Sequence, residues 1–336
     1  MKTIAFFNNK GGVGKTSLVY HLAWMFADRG VPVLAVDLDP QANLTSMFLG
    51  ARLLEALWDF GGVGSDGDVA NTVSDYLRPL MEGMGETRAP HLAKVYPNLA
   101  LIPGNLALAK VEDEFSAAWP RCLDEHTRSF HVTIAFHKMI MDAVKQHPAK
   151  IVFIDVGPNL GAINRAALIA TDYVVFPLAP DLFSLQGLRN LGPTLKNWRK
   201  GWDERKLKLP LHTNISLPTG SMTPLGYVVM QHGVKGNSPV KAYQRWLDEI
   251  PSVYRQFVLS ERDADTVSVE NDPYKLAQLK HYRSLMPMAQ AVNKPIFHLK
   301  PADGAIGAHV DAVKECYDDF LALAGKIAGT IEVDFQ

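Results

Sequence analysis

The chain has little cysteine. Its 336 residues hold two, Cys122 and Cys316, far apart in sequence. That excludes a disulfide-built scaffold and points to a reducing compartment. Excess charge is also missing: 34 Lys and Arg stand against 35 Asp and Glu, a formal net charge of −1. No overall basic field is available to draw in nucleic acid. No apolar run approaches the roughly 18 residues of a membrane span. Ile4–Phe7 is too short for a signal-peptide core, and Asn8-Asn9 ends it. Repeats and low-complexity tracts are lacking. His126, His131, His137, His281 and His298 lack paired ligand spacing, so no histidine-built metal site is expected.

What is present is a globular composition, 47% apolar and 21% charged. Apolar strand patterns fall at 3–8, 32–37, 99–103, 150–155, 173–178, 225–230 and 295–299. Helical periodicity falls at 16–29, 105–118, 132–147, 161–170, 184–200, 238–250 and 307–328. Residues 201–222 hold Pro210, Pro218 and Gly220 and read as a loop with a short strand. Strand and helix alternate along the chain. This predicts an α/β fold: one domain over 1–336 with a doubly wound, mostly parallel sheet flanked by helices.

The most informative stretch is Lys10-Gly-Gly-Val-Gly-Lys-Thr-Ser17, directly behind the first strand. Gly11, Gly12 and Gly14 let backbone N–H groups turn inward around an anion. A helix opening at Thr16 and Ser17 adds unpaired N–H groups and a partial positive charge. Lys15 suits the β- and γ-phosphates, and the Thr16 hydroxyl suits Mg²⁺. The pattern G-x-x-x-x-G-K-[ST] would need a glycine at Asn9, so the general form fails. The form K-G-G-x-G-K-[ST] fits.

Lys10 and the acids at two strand ends bear on the same chemistry. Lys10 reads either as a solvated loop lysine or as a second cation, placed to reach the phosphates of a neighbouring subunit. Val33-Leu-Ala-Val-Asp-Leu-Asp39 is an apolar strand ending in acids, at the edge where parallel sheets bind ligands. Asp39 could hold a Mg²⁺-bound water or orient the attacking one, or both acids could simply cap the loop. Lys150-Ile-Val-Phe-Ile-Asp155 ends likewise in an acid fit for a Mg²⁺ shell.

Together these segments resemble the ParA/MinD group of deviant-Walker P-loop ATPases (the SIMIBI type), most closely the ParA, Soj-like branch. Asn159-Leu-Gly161, Tyr173–Pro180, Asp181–Leu188 and Pro97–Asn105 extend the likeness, and Asn293–Phe297 resembles the family's closing strand. The resemblance implies ATP and Mg²⁺ as cofactors. Lys10 would act across a dimer interface. Gly11, Gly12, Val13, Gly14 and Lys15 would wrap the phosphates, with Thr16 and Ser17 completing the nucleotide site. Asp39 would position the hydrolytic water with Asp37 in support. Thr16, Asp39 and Asp155 would serve the metal, the acids through water. Two ATP molecules would lie between two subunits, and a partner protein would stimulate a slow ATPase.

There are departures. The family writes Asp-Thr/Cys-Pro-Pro after this acid, whereas Asp155 is followed by Val156-Gly157-Pro158. Residues at about 51–96 and 261–283 read as elaborations of the family domain. No base-binding residue is carried over. Too few cysteines exclude the iron–sulfur and arsenical-pump cousins. The acidic tail Ile331–Gln336 is unlike a lipid-binding basic helix, so no membrane partner is expected. Residues 189–208 are locally basic, and Lys196, Arg199, Lys200, Arg205 and Lys206 are candidate contacts to non-specific DNA. A solvated helix end accounts for them equally well.

The expectation is a cytoplasmic, nucleoid-associated ATPase that partitions or positions DNA or a protein cargo. The alternative is an ATP-dependent switch that binds a protein without DNA. A small-molecule ligase on the same fold, such as dethiobiotin synthetase, fits the downstream motifs less well.

Overall fold

A computed structural model describes residues 1–50, 54, 55, 57, 72–83, 89–211, 213–230, 241–261, 267–282 and 284–335. Strand β1 (Lys2–Phe6) runs through the glycine-rich loop into helix α1 (Lys15–Asp28). β2 (Val33–Leu38) leads to the short α2 (Asn43–Phe48). Then come α3 (Val73–Met81), β3 (Ala93–Tyr96) and β4 (Leu99–Ile102). A 3₁₀ turn, Leu106–Val111, precedes α4 (Glu112–Arg121). α5 (Thr127–Thr133) and α6 (Ala135–Gln146) break at Ile134, where one helix over 132–147 was expected.

β5 (Ile151–Val156), α7 (Ala162–Ile169), β6 (Tyr173–Leu178) and α8 (Leu182–Lys206) follow. β7 (Thr223–Met230) and α9 (Lys241–Val253) lead into a π-helical turn, Tyr254–Leu259. β8 (Lys275–Leu279), α10 (Leu285–Ala291) and α11 (Ala308–Ile331) close the described chain.

The strands form one eight-stranded sheet in the order β3-β4-β2-β5-β1-β6-β7-β8. Only the β3–β4 pair is antiparallel. β2 and β5 are buried at every residue, which is why they read as unbroken apolar runs. One face packs Phe6, Phe26, Phe153, Leu323 and Ile327 against α1 and α11. The other packs Ile154, Phe136, Leu191 and Trp202 against helices that include α6 and α8. Register aligns Asp155 with Phe6 on one side and with Asp37 on the other. The C-terminal ends of three central strands therefore meet at one sheet edge, beside the loop that follows β1.

Several expectations change. The expected strand at 295–299 is a 3₁₀ turn, Ile296–His298. Pro295 lacks an N–H, and the Ile296 N–H donates to His21 Nε2 (3.2 Å) rather than to a strand. The eighth strand is β8, inside the segment 261–283 read as an elaboration, and it pairs parallel with β7. Its sequence KLAQL is not an apolar run, because it lies at the sheet edge. The expected loop at 201–222 begins as helix, since α8 continues to Lys206 past Pro193. No strand occurs there among the described residues before β7. Within the segment 51–96 the structure adds α3 and β3, while residues 58–71 and 84–88 lie outside the described residues, as do 238–240 of the expected helix and 262–266 and 283.

Candidate functional site

The glycines of the loop between β1 and α1 do distinct work. Gly12 (φ 71°) and Gly14 (φ 84°) occupy left-handed backbone that other residues adopt at a cost. At Gly14 a Cβ would also meet Met230 Cε at 2.8 Å. The buried Asn8 anchors the loop's start: its Nδ2 donates to Pro177 O (2.7 Å), and its Oδ1 accepts from the Lys10 N–H (2.9 Å). α1 opens with the Leu18 N–H donating to Gly14 O.

Lys15 is buried, and its Nζ lies 3.4 Å from Lys10 O. Burial lowers its pKa, while the charges of Asp155 and Asp39 push the other way. A buried ammonium at an anion loop is placed to pair with a phosphate, and a cation would offset the two carboxylates that face it.

Asp37, in β2, and Asp39, just past its end, have different jobs. Asp37 is fully buried and serves as a brace. Its Oδ2 accepts from the Thr45 N–H (2.8 Å) and Thr45 Oγ1 (2.6 Å), and its Oδ1 from the Asp39 N–H (3.3 Å). Thr45 Oγ1 in turn accepts from the Gly104 N–H (2.8 Å). Burial raises the Asp37 carboxyl, against the hydrogen bonds from Thr45. Asp39 is aimed into the site, with only Gln41 N–H bonding its Oδ1 (3.0 Å).

Asp155 is fully buried, and among the described residues neither carboxylate oxygen has a hydrogen-bond partner. Burial raises its pKa strongly and the Asp37 charge adds to this. Thr16 tempers the rise from nearby without closing a hydrogen bond of good geometry. An orphaned buried carboxylate beside a hydroxyl and a lysine fits a hard divalent cation, and every donor on offer is oxygen. Among the described residues no three His, Cys, Asp or Glu side chains gather as a metal cage. Mg²⁺ takes few protein ligands and relies on phosphate and water.

Lys10 makes an ion pair with Asp181 of its own chain and lies 5.8 Å over the Phe183 ring. Asp181 is the N-cap of α8 and accepts from the Ser184 N–H (2.9 Å). Partial burial would raise this carboxyl, but Lys10 and Ser184 outweigh it and hold it below the usual range. In the sequence Asp181 stands out only as the start of the segment Asp181–Leu188 that extends the family likeness. Its pairing with Lys10, 171 residues away, has no local signal. Asn8 and Thr45 were missed for the same reason.

A cavity of about 140 Å³ adjoins the loop, lined among others by Val13, Ser17, Met230, Tyr282, Met286 and Phe320. The end of β8 supplies part of its wall. Beneath it, His21 is buried and neutral: its Nδ1 lies 2.7 Å from Ser17 O and its Nε2 accepts from Ile296. Burial takes its pKa down to about 4, against the pull of Ser17 O.

The basic stretch divides. Lys196 and Lys200 are exposed on α8, with Lys200 4.0 Å from Glu204. Lys206 pairs with Asp203 (2.8 Å) and donates to Thr219 O (2.9 Å). Arg199 is half-buried, its Nε without a partner. Arg205 is no surface contact, which corrects the expectation. It is 6% exposed, stacks 3.7 Å from the Trp119 ring centroid and donates to Trp119 O and Gly201 O. Helical spacing sets it on the inward face with Trp198 and Trp202.

Residues 1–209 match the AAA_31 family model, described as an AAA domain. The chain is 27% identical over 270 residues to the uncharacterized protein MJECL24 of Methanocaldococcus jannaschii, covering 80% of this chain and 87% of that one. It is 34% identical over 196 residues to the sporulation initiation inhibitor protein Soj of Bacillus subtilis, covering 58% of this chain. The match spans 65% of Soj, under two thirds of its length. An ATP complex of a Cyanothece McdA variant superposes with a TM-score of 0.64 at 15% identity, over 100% of this chain and 98% of that one. At that identity the likeness speaks for the fold alone. The family match over the first 209 residues, carried on a parallel sheet whose strand ends assemble the loop, Lys15, Asp39 and Asp155, places this chain among the ParA/MinD-type P-loop ATPases.

Proposed function

We propose that the protein binds ATP with Mg²⁺, pairs through the bound nucleotide and hydrolyses it to partition or position a cargo. The observation that carries this is the orphaned carboxylate of Asp155 beside Thr16, Lys15 and Asp39. The loop N–H groups and Lys15 bind the phosphates, and Asp39 orients the attacking water with its backbone held by Asp37. Thr16, and through water Asp39 and Asp155, would hold Mg²⁺, which would supply charge neutralisation at the phosphates. Lys10 leaves Asp181 and reaches the phosphates of the second subunit, offsetting transition-state charge. The apolar side chains exposed nearby, Leu160, Leu182 and Phe183, support a pairing surface on this side. The cavity beside the loop suits the base.

Non-specific DNA binding by the dimer rests on Lys196 and Lys200, doubled by pairing. The pairing of Lys206 with Asp203 and the burial of Arg205 favour a second reading, in which the dimer is a switch for a protein partner and holds no DNA. Three measurements decide. Lys15→Ala abolishes binding of a fluorescent ATP analogue; unchanged affinity would refute the site. Asp39→Ala retains binding and accumulates an ATP-dependent dimer on sizing; a strict monomer refutes the sandwich. An ATP-dependent gel shift of random duplex DNA that weakens with salt supports the DNA limb. Its absence at low salt leaves the protein-partner reading.

A further inference from the structure

The segment that follows Asp155 departs from the resemblance, and its loop, residues 157–161 between β5 and α7, borders the reacting end of the site. A Cβ on Gly157 would lie 3.4 Å from Asp39 Oδ1. Whatever holds this loop therefore holds the wall against which Asp39 aims a water. Val156 has no hydroxyl or thiol and is buried in the core. Two side chains outside every motif do the holding.

Asn164, buried in the first turn of α7, reaches back over the loop. Its Nδ2 donates to Gly157 O (2.7 Å), Asn159 O (2.8 Å) and Asn159 Oδ1 (3.1 Å). Asn159 Oδ1 also accepts from the Gly161 N–H (2.9 Å). The other residue is Glu112, the first residue of α4. The N-cap position of α7 is Gly161, which has no side chain to cap the helix. The Glu112 carboxylate takes that role from 50 residues away, accepting from the Ala162 N–H and from the Ile163 N–H (3.0 Å). Gly161 is small for a reason: a Cβ there would fall 2.6 Å from Glu112 Oε1 and 2.9 Å from Asn159 Oδ1.

We propose that Glu112 and Asn164 are positioning residues that clamp the loop 157–161 against Asp39, so that bound ATP meets a correctly placed water. The proposal rests on the ATPase reading above. Releasing the clamp leaves the phosphate loop untouched and so leaves nucleotide affinity intact. It blurs the position of the water, and displacements of about 1 Å can cost up to about 100-fold in rate.

The test uses the full chain and ATP. Glu112→Ala removes the carboxylate. Gly161→Ala pushes it away without altering it, at a φ of −76° that alanine tolerates. Both are expected to lower kcat about tenfold or more with KM for ATP within twofold, and to speed amide exchange at 161–163. Glu112→Gln keeps one acceptor and should recover part of the rate. Thermal melts first establish that each variant is folded, and Gly161→Ala keeps the question open to measurement if Glu112→Ala is not. An unchanged kcat in a folded variant whose 161–163 amides exchange faster overturns the proposal. So does a loss of ATP affinity that matches the loss of rate. Wild-type protein that neither binds nor hydrolyses ATP would instead refute the underlying ATPase reading, a separate result.

Discussion

Thr45→Val tests the brace beneath the site. The Thr45 hydroxyl donates to the fully buried Asp37 and accepts from the Gly104 N–H. Valine matches its shape and offers neither. A hydrogen bond to a buried charge contributes about 1.5–3 kcal/mol, and an orphaned buried N–H costs about 1–3 kcal/mol. The Asp37 carboxylate keeps its bonds from the Thr45 and Asp39 N–H groups, so the sum is held near the middle, about 4 kcal/mol. Unfolding entropy of about 2.1 cal/mol/K per residue gives roughly 0.7 kcal/mol/K for 336 residues. Tm should then fall by about 6 °C, read by circular dichroism. In an Asp37→Asn background the same change strands no charge and should cost about half as much, a coupling that a double-mutant cycle isolates. A fall under about 1 °C, or equal costs in both backgrounds, refutes the idea that Asp37 is held through Thr45.

Two further outcomes follow from the same geometry. His21 has a folded pKa of about 4, below its unfolded value of 6.5, because burial disfavours the imidazolium. The unfolded chain therefore binds more protons between these values. This stability is complete above about pH 6.5 and is lost as pH falls through 4. From pH 7.5 to pH 5 the wild type should lose about 2 kcal/mol more than His21→Gln in urea unfolding, and parallel slopes would refute it. Asp181→Asn keeps the α8 cap and releases Lys10. The pair is about a third exposed, so it is worth at most about 1 kcal/mol. The variant should dimerise at twofold to fivefold lower ATP, by light scattering; a higher requirement would mean that the Lys10–Asp181 pair assists pairing.

The legible parts of the sequence are those whose physics is local. The loop 10–17 is contiguous, sits between an apolar strand and an amphipathic helix, and needs glycine at φ values few other residues adopt, so its residues declare the phosphate site without a partner in view. The fully buried strands β2 and β5 are likewise visible as apolar runs leading into acids. An apolar run reports burial and not hydrogen bonding, so 295–299 misled: Ile296 and Phe297 are buried in a turn. The true edge strand, Lys275–Leu279, buries only Leu276 and Leu279 of its five residues, a pattern too weak to stand out. Basic residues on a helix do not announce which face they occupy, which is how Arg205 entered a surface patch while stacking on Trp119.

The sequence by itself determined the phosphate loop, the acids at the strand ends and the α/β class, because each depends on spacing within a few residues. Only the tertiary structure decided that Asp181 holds Lys10, that Thr45 steadies Asp37, and that Glu112 and Asn164 grip the loop after Asp155. Those contacts join elements up to 171 residues apart. A carboxylate or an amide finds its partner through the packing of whole helices on a sheet, and no pattern of neighbouring residues encodes it.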